Sequence, residues 1–262
     1  MHNFDFVKPA SLDEAVKALS AEGAQALSGG QTLMPTMKQR LAAPEVLVSL
    51  TGIAALKGVS GRAGASVTVG AATPHAVVAA EARAFYPALA VLAGGIGDPA
   101  VRNRGTIGGS LANNDPAACY PAAVLASGAT ITTSRREIAA DDYFQGLFST
   151  ALEEGEIITG VTFPIPQKAA YVKFNQPASR FALTGVFVAK YAGGVRVAVT
   201  GASNNGVFRW SDAEAALSAD FSAGALAGLT VDDSEMIADL HGSAAYRANL
   251  VKVLTGRAVA AA

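Results

Sequence analysis

The chain has 262 residues, 51% hydrophobic and 16% charged, enough for about two or three compact units with a sizeable core and too apolar for a disordered chain. Its 20 lysines and arginines against 21 aspartates and glutamates leave a net charge of −1, so no broad basic field invites a nucleic acid or an anionic membrane, and small molecules or proteins are the expected partners. A single cysteine, Cys119, excludes an internal disulfide and a cysteine-ligated cluster, no apolar run is long enough for a transmembrane segment, and without a secretory leader the expected location is cytoplasmic.

In chain order, Ser11 with Glu14 three residues on predicts a capping box, and Leu12, Ala15, Val16 and Leu19 recur at helical spacing. A strand over 24–28, a short helix in MPTMKQRL and a strand in EVLVSL (45–50) make a unit of alternating helix and strand that ends near residue 52. The next unit opens with the strand SVTVGA, a helix start at Thr73-Pro74, and a helix through YPALAVLAGGI stopped by Gly94, Gly95 and Gly97. It continues with a glycine turn at 108–109, a polar loop, an alanine-rich helix and a strand. EIITGVTFPIP closes it, because Pro164 and Pro166 do not continue a sheet interior, which sets a boundary near residue 166. Beyond that, GVFVAKYAGGVRVAVTGAS predicts a hairpin about Gly193-Gly194, followed by helices from Asp212, around Glu235–Leu240 and over 244–254.

The three histidines, His2, His75 and His241, lack metal-ligand spacing, and no nucleophile elbow, G-x-G-x-x-G fingerprint or phosphate-binding G-x-x-x-x-G-K-[ST] loop occurs. What remains is glycine. Gly29-Gly30 and Gly108-Gly109 each follow a short strand-like segment and precede hydroxyl or amide side chains. Without Cβ atoms the backbone approaches a ligand closely and admits positive φ, so successive N–H groups point into one concavity that suits a diphosphate. Thr32, Thr106 and Ser110 offer hydroxyl donors, and the turn into TLMPTMKQ offers a helix N-terminus. A tight turn explains either pair alone; two pairs on separate units point to one long nucleotide ligand held from both sides.

LSGGQTLMPTMKQRLAAPEVLVSL and GGIGDPAVRNRGTIGGSLANNDPAACYPAAVLASGA strongly resemble the FAD-binding medium subunit of molybdenum hydroxylases, the xanthine dehydrogenase and carbon monoxide dehydrogenase family. The likeness runs on through DDYFQGLFSTALEEGEIITGVTFPIP and YVKFNQPASRFALTGVFVAK, with a weaker echo in AYRANLVKVLTGRA. It implies an α+β fold: a two-lobed FAD-binding domain over 1–166, lobe one 1–52 and lobe two 53–166, of the vanillyl-alcohol-oxidase (PCMH-like) kind. A C-terminal α+β domain of the carbon monoxide dehydrogenase flavoprotein type follows over 167–262, with a small antiparallel three-stranded sheet and helices. Position by position, Ser28, Gly29, Gly30, Gln31, Thr32 and Leu33 would wrap one side of a non-covalent FAD, and Thr106, Ile107, Gly108, Gly109 and Ser110 the other. Ile157 would pack near the adenine, Lys173 near the cofactor and Phe181 against the isoalloxazine.

Where many relatives carry aspartate this chain has Cys119, a weaker hydrogen-bond acceptor for ribose or adenine, with Asp115 nearby to compensate; this bears on cofactor affinity. Arg102 and Arg104 read equally as cations close to the diphosphate and as exposed turn residues. The resemblance further implies no catalytic side chain and no metal in this chain. It implies instead an iron–sulfur small subunit with two [2Fe-2S] clusters and a molybdenum-pterin large subunit as partners, in a dimer of heterotrimers. Electrons would pass from the clusters to FAD and on to an external acceptor, a quinone or other carrier in preference to NAD. The readings left open beside it are a self-contained flavin oxidoreductase and a non-catalytic nucleotide-binding assembly protein.

Overall fold

Ser11 Oγ accepts the N–H of Glu14 at 3.2 Å, and the Glu14 carboxylate accepts the N–H of Ala10 at 2.8 Å, so the chain enters its first helix through a reciprocal cap. The computed structural model describes residues 1–262. Strand β1 (Asp5–Val7), helix α1 (Leu12–Leu19), β2 (Ala24–Leu27), α2 (Leu33–Lys38) and β3 (Val46–Ser49) form a three-stranded parallel sheet of order β1-β3-β2. Its central strand carries the buried Leu47 and Val48, while β2 is a half-exposed edge. That edge position leaves the end of β2 free to build a site.

The central sheet is antiparallel, of order β4-β5-β10-β6-β7, made by β4 (Val59–Arg62), β5 (Ser66–Gly70), β6 (Thr130–Thr133), β7 (Glu137–Ala139) and β10 (Ile158–Pro164). Between β5 and β6 run α3 (His75–Glu81), α4 (Pro87–Gly94), α5 (Pro99–Arg102), α6 (Ile107–Asn113) and α7 (Tyr120–Ser127). The short α8 (Ala140–Tyr143) and the hairpin β8 (Phe144–Gly146) and β9 (Ser149–Thr150) precede β10. Pro74 caps α3 from the extended region rather than standing in its first turn.

The C-terminal sheet, order β11-β12-β13-β14, has the expected three long antiparallel strands, β11 (Lys168–Asn175), β12 (Ala182–Tyr191) and β13 (Gly194–Ser203), and adds a short edge strand β14 (Gly206–Arg209). Helices α9 (Ser211–Ala219) and α10 (Ala244–Ala261) cover one face. Helix α7 lies under the other. Strand alternation sends Val186 and Val188 to the α9–α10 side and Phe187 and Ala189 to the α7 side, so β12 is buried on both faces and reads as a continuous apolar run.

Every residue of α7 is buried, between the central and C-terminal sheets, and its alanines let the two layers approach. Phe163, Tyr86 and Phe187 make successive edge-to-face contacts at 6.4 and 6.0 Å that join β10 to β12. One hydrophobic core therefore runs across residue 166.

The helix expected around Glu235–Leu240 does not form. Ile237 N–H donates to Ala202 O at 2.8 Å and Asn204 N–H to Glu235 O at 2.8 Å, so the segment spends its backbone groups on the end of β13. No helix is long and apolar enough to cross a membrane.

Candidate functional site

The last sheet bond of β2 runs from Leu50 N–H to Leu27 O at 2.8 Å, and the backbone then turns through Ser28-Gly29-Gly30 into α2. Gly30 has φ +71°, in the left-handed region that a side chain would strain. From Gly29 to Leu33 no backbone N–H has a carbonyl acceptor, a run of five adjacent donors at the end of an edge strand. Facing it is the start of α6, where Thr106 Oγ1 accepts the N–H of Gly109 at 3.2 Å. Ser28 Oγ and Thr106 Oγ1 share a hydrogen bond of 2.8 Å, so segments 78 positions apart in the chain are tied at one point.

The glycines divide their work differently from the expectation of paired nests. A Cβ on Gly29 would stand 2.2 Å from Arg104 O and 2.7 Å from Gly105 Cα; one on Gly108 would stand 2.6 Å from Ala71 Cβ and 2.8 Å from Ala71 O. These two positions are bare so that protein backbone, not ligand, comes close. The glycine turn at 108–109 is in fact the first turn of α6, with helical rather than left-handed φ. Gly109 differs again: its nearest neighbours are Thr106 Oγ1 at 3.0 Å and Ser28 Cβ at 3.8 Å, and it stands on the cleft wall.

The cleft between these segments has a volume of about 660 Å³, within the range of small-molecule sites. Ser28 to Leu33 form one side, and Thr106 with Gly108, Gly109 and Ser110 the other. Ile157, buried among Leu50, Leu56 and Ala72, makes an apolar wall, and Phe181 contributes an aromatic one. Asp115 is on the wall with Oδ1 engaged by the N–H of Ala117 at 2.8 Å.

Three expected residues do not line the cleft. The Ile107 side chain is fully buried in the core. Cys119 is buried beside Lys173, at 3.6 Å, and Lys173 itself donates to Gly95 O and Arg180 O, both at 2.8 Å. Arg102 is spent on Ile96 O and Gly97 O at 3.0 and 2.9 Å, and neither it nor Arg104 lines the cleft. No lysine or arginine does, so backbone N–H and hydroxyl groups are what an anion would meet there.

Two titratable lining residues were not anticipated. His75 is buried against Tyr120, ring centroids 5.2 Å apart, and burial followed by the nearby Arg102 charge lowers its pKa to about 4, keeping it neutral at pH 7. In the sequence it was one of three isolated histidines, and a lone histidine carries no spacing signal. Glu156 is buried, which opposes its charge, but hydrogen bonds from Arg136 at 3.2 Å and Thr133 at 2.6 Å prevail and lower its pKa to about 2. Its carboxylate is thereby fixed as a structural anchor. No group of three or more histidine, cysteine or acidic side chains is placed to hold a metal.

An anion cradle of backbone donors, continued by apolar and aromatic walls and free of a nucleophile–base pair, is the class of cleft that binds a nucleotide cofactor. Residues 2–166 match the family described as the FAD binding domain in molybdopterin dehydrogenase. The chain is 35% identical over 271 residues to the nicotine 6-hydroxylase medium subunit of Paenarthrobacter nicotinovorans, covering 97% of this chain and 95% of that protein. It is 32% identical over 278 residues to the carbon monoxide dehydrogenase medium chain of Hydrogenophaga pseudoflava, covering 99% and 96%. The solved quinoline 2-oxidoreductase from Pseudomonas putida 86 superposes with a TM-score of 0.87 at 29% identity, over 100% of this chain and 97% of that one. The chain belongs to the family of FAD-binding medium subunits of molybdenum-dependent dehydrogenases and is an oxidoreductase subunit. Its cofactor is FAD, which the unpaired donors and the apolar walls of the cleft suit.

Proposed function

We propose that this chain is the electron-transfer subunit of a multi-subunit molybdenum hydroxylase, holding FAD in the cleft between β2 and α6. The observation that carries the reading is the run of backbone N–H groups from Gly29 to Leu33 without carbonyl acceptors, tied by Ser28 to the Thr106 cap opposite. These groups, with the hydroxyls of Thr32 and Ser110, would hold the diphosphate. Gln31 would serve as a polar contact along it, Asp115 as an acceptor for the ribose or adenine, Ile157 as the apolar support of the adenine and Phe181 as that of the isoalloxazine ring.

FAD supplies the electron chemistry, accepting electrons singly or in pairs. The residues of the chain bind it, orient it and keep water from its apolar parts. No side chain is poised as general acid or base: burial makes His75 a weak base with its pKa lowered to about 4, Glu156 is consumed by Arg136 and Thr133, and Asp115 Oδ1 is engaged by the Ala117 N–H. An electron-relay role asks for none.

Residues 1–166 are the FAD-binding domain in this reading, with lobes 1–52 and 53–166, and 167–262 the C-terminal domain. Electrons come from the [2Fe-2S] clusters of a small subunit, served by a molybdenum-pterin large subunit, and leave to an external acceptor. The assembly is a cytoplasmic dimer of heterotrimers. The medium-subunit and medium-chain relatives support partners of this kind. The test is co-expression with candidate iron–sulfur and molybdenum-pterin subunits: the reading expects a stable complex in which substrate bleaches the flavin absorbance, and no bleaching when the iron–sulfur subunit is omitted. A flavin reduced by substrate in the isolated chain would overturn it in favour of a self-contained oxidoreductase.

A further inference from the structure

Lys173 stands on β11 away from the cleft wall, yet it is tied to the one aromatic residue that the C-terminal domain contributes to that wall. Phe181 follows Arg180, whose φ of +64° places a long side chain in the left-handed region at a cost of about 1–2 kcal/mol. Such a conformation persists only when its surroundings hold it. Gln176 closes the loop: its Oε1 accepts the N–H groups of Ala178 and Ser179 at 2.7 and 2.8 Å, and its backbone accepts from Arg180 N–H at 2.9 Å and donates to Phe181 O at 3.0 Å. The Lys173 ammonium then donates to Arg180 O and, across the molecule, to Gly95 O at the C-terminal cap of α4, each at 2.8 Å. The loop that presents Phe181 is thus fastened to the FAD-binding domain through a single side chain. The Phe181 ring also meets His241 edge to face at 5.7 Å.

We infer that Lys173 is a positioning residue for the flavin: it acts through Phe181, by locking the strained Arg180 carbonyl to Gly95, and not by placing its charge at the cofactor. The inference rests on the FAD site proposed above. Losing two charge-assisted hydrogen bonds at the base of the loop frees Phe181 from the wall without substituting any cleft-lining residue.

The experiment is a double-mutant cycle on FAD binding to the full-length chain after flavin removal, read by flavin fluorescence during titration. Lys173→Met is expected to weaken binding about tenfold and raise the residual fluorescence of bound flavin. In a Phe181→Ala background the same substitution is expected to change binding by less than about twofold, because the group through which it acts is gone. Equal effects in both backgrounds would overturn the inference and point to direct charge on the cofactor. Lowered thermal stability with unchanged affinity and fluorescence would also overturn it, leaving a purely structural residue. A parent chain that binds no FAD would instead sink the proposed function, so the two failures are distinct; near-ultraviolet circular dichroism of each variant checks that the fold is kept.

Discussion

Replacing Gly29 with alanine adds one methyl group, and the structure gives that atom nowhere to go. It would stand 2.2 Å from Arg104 O and 2.8 Å from Arg104 C, both backbone atoms that have no rotamer to change. The segments 28–30 and 104–106 must part by roughly 1 Å, the difference between this approach and an ordinary van der Waals contact. Forced overpacking of this kind costs about 1–3 kcal/mol. The displacement also breaks the 2.8 Å Ser28–Thr106 hydrogen bond, adding about 1 kcal/mol. A loss of about 2–4 kcal/mol follows, which in a chain of this length lowers Tm by about 6–12 °C. Thermal denaturation followed by circular dichroism in the absence of FAD isolates the effect on the protein. A Gly29→Ala variant within about 1 °C of the parent would refute the claim that Gly29 is bare for the sake of the 104–105 backbone.

Gly109→Val should behave the other way: its nearest neighbour is the Thr106 hydroxyl at 3.0 Å and its side chain enters the cleft wall, so FAD affinity falls at least about tenfold while Tm moves by only a few degrees. His75, with its pKa lowered from 6.5 to about 4, is neutral when folded, so the unfolded chain binds its proton first as pH falls. Stability declines between pH 6.5 and about 4, by up to about 3 kcal/mol, and denaturant titrations should show that slope flattened in His75→Phe. Glu156, lowered from 4.5 to about 2, contributes stability that is fully present above pH 4.5 and lost as pH falls toward 2; Glu156→Gln should be less stable at pH 7 and lack that part of the acid slope.

The first lobe was legible because its signals are local: the Ser11–Glu14 cap, the helical spacing of Leu12 to Leu19 and the apolar EVLVSL each name one element. The hairpin of β12 and β13 was legible as β-rich runs about Gly193-Gly194. Helix α6 was hidden because two glycines near its start have low helix propensity, and what makes it a helix is the Thr106 cap and packing on Ala71. The segment around Met236 offered helix-like apolar spacing, but the open end of β13 took its backbone groups, a donor at Ile237 and an acceptor at Glu235. At the site, sequence located the glycine pairs and could not say which served a ligand. That distinction lies in contacts such as Gly29 with Arg104, made between distant segments and invisible to spacing. Lys173 shows the same limit: its partners at Gly95 and Arg180 belong to different elements, and only the fold reveals that it faces carbonyls.

The most direct test of the central claim is the visible spectrum of the purified chain, with released flavin identified by chromatography, alongside Gly30→Val and Gly109→Val. The account predicts FAD bound to the parent and lost from both variants while their circular dichroism stays native. A colourless parent that takes up no added FAD, alone or in its complex, would contradict it.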